Sequence, residues 1–217
     1  MFIGHWAPAL AVAAKRPRPG LGTLFIAAQL VDWVFFGFVL LGIEKMRLNP
    51  AISAVSPLDL YFMPYTHSLV GALVWGGGMA IVVWAILRDR TAALLAGAVV
   101  VSHWLLDLLV HVPDLTIAGR APKLGFGLWN YPAIEMPLEL AITFGALWLY
   151  VRARRPQSGR ALLLGALLLG LQLFNWFGPV APEVTPGTSY LALLAYGLVT
   201  AAAWWMGKSA ATAPQSG

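Results

Sequence analysis

Cysteine is absent from this chain of 217 residues, and charged residues are scarce. Without cysteine there is no disulfide framework and no thiolate metal site. Charged residues make up 11% of the chain, whereas a soluble domain carries about 25%. The hydrophobic fraction is 59% and the mean hydropathy is +0.75. This composition excludes an ordinary soluble domain and predicts a polytopic membrane protein.

The formal net charge of +5 does not form a basic patch of the kind that binds nucleic acid. Lysine and arginine stand instead in short clusters between apolar runs, which is the pattern of membrane topology signals. We therefore expect membrane lipids, and no nucleic acid, as partners. The sequence makes no prediction of the oligomeric state.

Apolar segments predict an all-α, polytopic membrane helix bundle with about six or seven membrane segments. The seven segments are Phe2–Ala14, Leu21–Ile43, Leu60–Leu87, Thr91–Val112, Pro132–Val151, Ala161–Gly178 and Ser189–Gly207. Most reach the roughly 20 residues that a helix needs to cross a bilayer. The first is short, and we expect a partial helix tucked into the bundle. Residues 1–208 are predicted to form one transmembrane domain, followed by a disordered tail over 209–217.

The connections between these segments alternate in basic content. One side has ten lysine and arginine residues, in Lys15–Arg18, Arg88–Arg90, Arg152–Arg160 and Lys208. The other side has four, namely Lys45, Arg47, Arg120 and Lys123. The positive-inside rule then predicts that the first set faces the cytoplasm and that the N-terminus lies outside.

The fourth segment carries a polar stripe, in which His103, Asp107 and His111 recur every four residues. A helix places such residues on one face. Ionisable groups at membrane depth are costly and usually mark a functional site, and histidine and aspartate are ligands of zinc-class ions. His103 and His111 are about 12 Å apart along a helix, too far for one ion. Asp107, between them, could bridge two ions about 3.5–4 Å apart.

Other polar residues are predicted to share the depth of this stripe. The set comprises His5, Asp32, His67, His103, Asp107, His111, Glu135 and Glu139. A rise of about 1.5 Å per residue places all of them between the midplane and the outer surface. We therefore expect one metal-binding layer that opens toward the outer side. His67, at about 32 Å, stands well above Asp32, at about 17 Å, so helix tilt or a break near Pro64 must bring them together.

Structural roles are the alternatives for the individual residues. His67 could belong to a helix cap in Thr66-His67-Ser68. His5 could be an interfacial residue beside Trp6. Glu135 could be an acid favoured by the dipole of a helix that starts near Pro132. The gathering of all four histidines and four of the nine acids in one layer favours the metal site. The ligand types favour Zn²⁺, with Mn²⁺ or Fe²⁺ as alternatives, because Ca²⁺ and Mg²⁺ sites are richer in oxygen.

At these residues the sequence resembles the membrane-bound metal-dependent hydrolases, a family of bacterial inner-membrane proteins with a branch described as LexA-binding. The resemblance covers most of the chain. Its motifs are Gly4-His5, Asp32, Thr66-His67-Ser68, Ser102-His103-x-x-x-Asp107-x-x-x-His111, and Trp129-Asn130 followed by Glu139. It implies a multi-pass protein of the bacterial inner membrane, with the site on the outer, periplasmic side.

The family is distantly similar to the zinc-dependent phospholipases C. By that similarity, one ion would be held by Asp32, His67, His103 and Asp107. A second would have His5, His111 and Glu139 as candidate ligands. The phospholipases have a further histidine four residues before their late glutamate, where this chain has Glu135. The resemblance therefore implies one or two metal ions rather than three.

Taken together, these features predict a metal-dependent hydrolase that cleaves a lipid or lipid-linked phosphoester with a metal-activated water. Glu135, Glu139 and Asp107 are the candidate catalytic residues. Histidines and carboxylates inside a bundle also build ion and proton pathways, so an ion- or proton-coupled transporter is one alternative. A non-catalytic membrane scaffold is the other.

Overall fold

Seven α-helices form the bulk of the part of the chain that the computed structural model describes, residues 1–211. They are α1 (Ala7–Lys15), α2 (Leu21–Leu40), α3 (Leu69–Leu87), α4 (Arg90–Val110), α5 (Pro132–Arg154), α6 (Ser158–Phe177) and α7 (Pro186–Ala211). Helices α2 to α7 are long and apolar enough to cross a membrane. The prediction of an all-α polytopic bundle is therefore confirmed.

The first apolar segment is a short helix inside the bundle, as predicted. A 3₁₀ turn over Ile3–Trp6 leads into the nine residues of α1. Proline in the first turn of α1 suits a helix start, because the missing N–H would have no intrahelical partner there. The Trp6 side chain is fully buried, and its indole Nε1–H donates to the carbonyl oxygen of Phe25. The N-terminal residues are thereby held deep among the helices.

The third apolar segment was predicted to be helical from Leu60, and this start is wrong. Residues Leu58–Phe62 form β2, which pairs antiparallel with β1 (Lys45–Leu48). Helix α3 begins only at Leu69, where the Ser68 hydroxyl accepts a hydrogen bond from the Gly71 amide. The chain therefore bends between β2 and α3, near Pro64, which has no amide hydrogen to continue a helix.

Helices α3 and α4 pack closely at two glycines. A Cβ atom at Gly76 would stand 2.9 Å from the carbonyl oxygen of Gly97, and one at Gly97 would stand 2.8 Å from that of Gly76. Small residues at a helix crossing let two backbones approach. The turn before α3 is held against α4 as well, because the Trp104 indole donates to the carbonyl oxygen of His67. This packing places His67 beside the polar stripe of α4.

The bundle has two unlike ends. The basic end carries the α1–α2, α3–α4 and α5–α6 connections and the end of α7. The opposite end carries the β1–β2 hairpin, the second hairpin formed by β3 (Leu115–Thr116) and β4 (Lys123–Leu124), and the connection between α6 and α7. We call it the cavity end, because a cavity opens there. The ten basic residues counted above lie at the basic end, and the other four at the cavity end.

Helix α7 extends to Ala211. It therefore includes the first three residues of the segment predicted to be a disordered tail. The rest of that prediction, residues 212–217, lies outside the described residues.

Candidate metal centre

Two histidines and two aspartates meet at the centre of the polar layer. The Nε2 atom of His103 lies 3.4 Å from Asp32 Oδ1 and 3.2 Å from Asp107 Oδ2. The Nε2 atom of His67 lies 3.3 Å from Asp32 Oδ1 and 3.7 Å from Asp107 Oδ2. The bend before α3 supplies His67, the middle of α2 supplies Asp32, and the C-terminal third of α4 supplies His103 and Asp107. These four residues form what we call cluster A.

A second group meets the other oxygen of Asp107. The Nε2 atom of His5 lies 3.0 Å from Asp107 Oδ1, and that of His111 lies 3.4 Å from the same oxygen. The amino group of Met1 is also 3.0 Å from it. We call His5, His111 and Asp107 cluster B. Asp107 thus belongs to both clusters through different oxygens, and its Oδ1 also accepts a hydrogen bond from the Met1 amino group.

The spacing of these atoms fits metal ligands. Ligand atoms around a tetrahedral zinc ion are about 3.4 Å apart, since Zn–N and Zn–O bonds are about 2.1 Å long. The contacts in cluster A range around that value. His103 Nε2, His5 Nε2 and Asp107 Oδ2 are buried and face other ligand atoms at 3.0–3.7 Å, but within residues 1–211 none of the three makes a hydrogen bond of good geometry. Buried polar atoms without partners are costly, so their convergence fits a bound cation.

Three of the four histidines are oriented by hydrogen bonds at the opposite ring nitrogen. His103 Nδ1–H donates to the carbonyl oxygen of Ala28 at 2.9 Å, and His111 Nδ1 lies 2.9 Å from an oxygen of Asp114. In each ring, a proton on Nδ1 leaves the lone pair of Nε2 free to point into the cluster. Metal-binding histidines are typically held in this way by carboxylates and carbonyls.

His67 is held by a longer chain of hydrogen bonds. The Thr66 hydroxyl donates to Glu44 Oε2 at 2.6 Å, so it accepts from the Nδ1–H of His67 at 2.8 Å. Glu44 is buried and also accepts from the amides of Tyr65 and Thr66. This carboxylate thereby fixes the whole turn before α3. The capping interpretation holds for Ser68, while the adjacent His67 faces cluster A.

Asp32 is oriented through the oxygen that does not face the histidines. Its Oδ2 accepts from Gln29 Nε2 at 2.6 Å and from the Tyr196 hydroxyl at 3.3 Å. Gln29 lies one turn earlier on α2, and Tyr196 comes from α7. Oδ1 is therefore left for cluster A.

Both histidines of cluster B are buried. His5 is 1% exposed, so it is not the interfacial residue that one alternative described.

Glu139 is not part of either cluster. One oxygen of its carboxylate accepts from the amides of Phe2 and Gly4, and the other accepts from Gln172 Nε2 at 3.0 Å. These bonds hold the N-terminal residues against α5 and α6. The geometry therefore gives Glu139 an anchoring position, while the ligand position that the resemblance implied stays a prediction.

Glu135 has the opposite environment. It lies in the first turn of α5, as the helix-dipole alternative described, and is fully buried. Its oxygens accept no hydrogen bond from a described residue, and its carboxyl group interacts with that of Glu139, one turn further along α5. It borders the same cavity as Asp32, His67, Asp107 and His111, as Glu139 does. Of the two glutamates, Glu135 is the one that no described donor holds.

A cavity of about 670 Å³ connects these residues to the cavity end of the bundle. Its inner end has the polar side chains just named. Its walls are apolar residues of α2, α6 and α7, with the β1–β2 hairpin loop at its mouth. A volume of this size matches a site for a small organic ligand.

Sequence reasoning missed the residues that orient the ligands. The spacing could have indicated two of them. Asp114 is three residues after His111 and Gln29 is three before Asp32, and side chains three residues apart are neighbours on a helix. Glu44 and Tyr196 had no such signal, since they are remote in sequence from the residues that they contact. Helices α6 and α7 supply Gln172 and Tyr196.

Neither a family model nor a solved structure matches the chain. Over 191 residues it is 26% identical to the lysylphosphatidylglycerol biosynthesis bifunctional protein LysX of Rhodococcus jostii (strain RHA1). The alignment covers 85% of this chain but 16% of that protein. This likeness does not place the chain in the metal-dependent hydrolase family that its motifs resemble. The chain is a multi-pass membrane protein with a weak likeness to a protein named for the biosynthesis of a membrane lipid.

Proposed function

We propose that this protein is a metal-dependent hydrolase of the bacterial inner membrane, acting on a lipid or lipid-linked phosphoester. The observation that carries the proposal is the convergence of four histidine Nε2 atoms on Asp32 and Asp107 at the inner end of a half-apolar cavity. A site with these surroundings suits an amphiphile, whose polar part needs the carboxylates and histidines and whose apolar part needs the walls.

Zinc is the ion that we propose for both clusters. Cluster A offers two nitrogens and two oxygens, and cluster B offers two nitrogens and the second oxygen of Asp107. Borderline ligands of this kind suit Zn²⁺ better than Ca²⁺ or Mg²⁺. When bound, such ions supply Lewis-acid activation of water and of a phosphoryl oxygen.

Glu135 is the general base in this proposal. Hydrolysis of a phosphoester forms a bond from the water oxygen to phosphorus and breaks the bond from phosphorus to the leaving oxygen. A carboxylate that no described donor holds, beside the ligand residues, can take the proton from water and return it to the leaving alcohol. Glu139 cannot do so without releasing the amides that it holds.

Two further features support the membrane and lipid assignments. The lysine and arginine bias supports a periplasmic position for the cavity end, by the positive-inside rule. The likeness to LysX is to a protein named for lysylphosphatidylglycerol biosynthesis. On that basis we propose phosphatidylglycerol and related anionic lipids as the first substrates to test.

The first experiment is metal content by elemental mass spectrometry on the detergent-purified protein. We expect one or two zinc ions per chain in the wild type and a loss of metal in His103→Ala. Ser102→Ala is the matched control, because its hydroxyl bonds only within α4, to the carbonyl oxygen of Val99. A well-folded wild type without metal would overturn the proposal and favour the transporter or the scaffold.

The second experiment separates the two glutamates. Glu135→Gln is expected to keep its metal and lower phospholipid turnover at least about 100-fold, which is within the range that a general base contributes. Turnover by the metal-loaded Glu135→Gln protein at the wild-type rate would remove Glu135 from the mechanism.

A further inference from the structure

The C-terminal end of α6 borders the cavity. Leu164, Leu168 and Gln172 recur every four residues on one face of α6 and are fully buried. One turn further along that face are Asn175 and Trp176, which line the cavity. The cavity therefore extends between the end of α6 and the first half of α7, and we call this part of it the gap.

The opposite wall of this gap is apolar and comes from two helices. Leu191, Ala192 and Ala195 of α7 line it, together with Phe35 and Phe36 of α2. The cavity is continuous from this wall to the carboxylates of Asp32 and Asp107. One end of the cavity thus suits hydrocarbon and the other suits a charged group.

The rim of the gap faces outward. Phe174 and Leu191, on its two sides, are 52% and 54% exposed, and Val180 in the connection between them is 56% exposed. All three also line the cavity. Because α6 and α7 are long and apolar enough to cross a membrane, their exposed apolar side chains face lipid tails rather than water. The gap is therefore a lateral opening toward the bilayer.

One polar group in the gap lacks a partner. The indole Nε1 of Trp176 is buried, and no described residue accepts its hydrogen. Indole N–H can only donate, and leaving it unsatisfied when buried is costly. An acceptor brought in with a ligand, such as the ester carbonyl at the top of a lipid tail, would satisfy it.

We propose that the gap between the end of α6 and the first half of α7 is an acyl-chain slot for a glycerolipid. The tail lies between the α6 and α7 walls, its ester carbonyl accepts from Trp176, and its phosphoester reaches clusters A and B. This inference rests on the proposed function for the identity of the reacting group. It adds that the substrate is a membrane-resident glycerolipid that enters sideways, rather than a soluble phosphoester that enters from water.

The test uses the full-length protein in nanodiscs that contain phosphatidylglycerol with a photoreactive acyl chain. We expect crosslinks to map to residues 171–196. Ala192→Trp fills the slot and should lower crosslinking at least about tenfold, as expected when a side chain occupies an apolar pocket. Leu194→Trp is the matched control, since Leu194 is 59% exposed and lies outside the cavity lining. It should stay within about twofold of the wild type.

Turnover is measured in parallel with the lipid and with a soluble aryl phosphodiester. Ala192→Trp should lower lipid turnover at least about tenfold and leave soluble turnover unchanged. Trp176→Phe keeps an aromatic ring but removes the donor, and should raise the lipid KM about fivefold, the value of one hydrogen bond. Its kcat for the soluble substrate should not change.

The outcomes separate this inference from the proposed function. Crosslinks in the slot without hydrolysis of either substrate would overturn the hydrolase and leave the slot. Hydrolysis with wild-type lipid turnover in Ala192→Trp, or crosslinks that map elsewhere, would overturn the slot and leave the hydrolase.

Discussion

The two ends of helix α4 place an aspartate in opposite settings. Near the basic end, Asp89 is the N-cap, and its Oδ1 accepts from the Ala92 amide at 3.0 Å. Toward the cavity end, Asp107 is 1% exposed and faces His5, His67, His103 and His111. The first is a common device for starting a helix. The second is a buried charge, which persists only where neighbouring groups compensate its desolvation.

The same contrast runs through the whole bundle. Within residues 1–211, the lysine and arginine side chains of the basic end form no ion pair with a carboxylate, and Arg47–Asp59 at the cavity end is such a pair. Unpaired cations at the membrane surface serve orientation and lipid contact. Apart from Asp59 and Glu135, the buried carboxylates of the cavity half are held instead by histidines, amides and hydroxyls. The lysine and arginine residues of the basic end thus serve to orient the protein in the membrane. The buried carboxylates and histidines of the cavity half form the candidate site.

The largest effect is expected from removing the charge that cluster A and cluster B share. Asp107→Asn should weaken zinc binding by more than about 100-fold, beyond the effect of losing a supporting hydrogen bond. Asp89→Asn is the control on the same helix, since asparagine caps as well as aspartate. Zinc affinity is measured by chelator competition. Equal affinity in the two variants would show that Asp107 contributes no more to zinc binding than Asp89 does.

A smaller loss is expected from Thr66→Val, which breaks the chain from Glu44 to His67 while keeping the side-chain shape. Residues that orient a metal ligand typically contribute about 10–100-fold to affinity. We expect a loss in that range by the same competition assay. Ser102→Ala, which removes a hydroxyl on the α4 backbone, should leave the affinity unchanged. No loss in Thr66→Val would show that the bend alone positions His67.

Glu139→Gln should affect stability rather than metal. The substitution weakens the acceptor for the Phe2 and Gly4 amides. It also replaces the carboxylate oxygen that accepts from Gln172 with a side-chain amide group. We expect a loss of about 1–2 kcal/mol in the free energy of unfolding, with zinc content retained. Glu135→Gln is the comparison one turn earlier on the same helix and should not lower stability, since no described donor bonds its oxygens and a glutamine amide there can donate to Glu139. Loss of zinc in Glu139→Gln would instead make Glu139 a ligand.

The smallest effect is expected at the basic end. Asp89→Ala removes the cap of α4 and should cost about 1 kcal/mol of stability. Thermal unfolding in detergent measures this cost. Zinc content and lipid turnover should equal those of the wild type, because the residue is at the far end of the helix from cluster A. A change in either would mean that the two ends are coupled.

Much of the fold followed from the sequence because hydropathy and length are local properties. The short first helix and the six long apolar helices required only the composition of each segment. The start of α3 did not follow, because Leu60–Phe62 is as apolar as a helix and pairs instead with β1. Pro64 and Ser68 gave the only local sign of the break.

The candidate site was predictable as a set of residues but not as a geometry. The four-residue spacing in α4 placed His103, Asp107 and His111 on one face, and helix rise placed the other polar residues at that depth. Neither could separate Glu135 from Glu139, which are one turn apart. Their difference comes from the Phe2 and Gly4 amides, which bond to one of them and not the other.

The sequence alone determined which residues are too polar for the membrane and which end of the bundle is basic, because both depend only on residue type and position along a helix. The tertiary structure decided which oxygen of Asp107 meets which histidine, that Glu44 supports His67, and that α6 and α7 part beside the cavity. Those relations depend on where each helix starts and how it crosses its neighbours. They arise between segments that are far apart in the chain, so no local pattern records them.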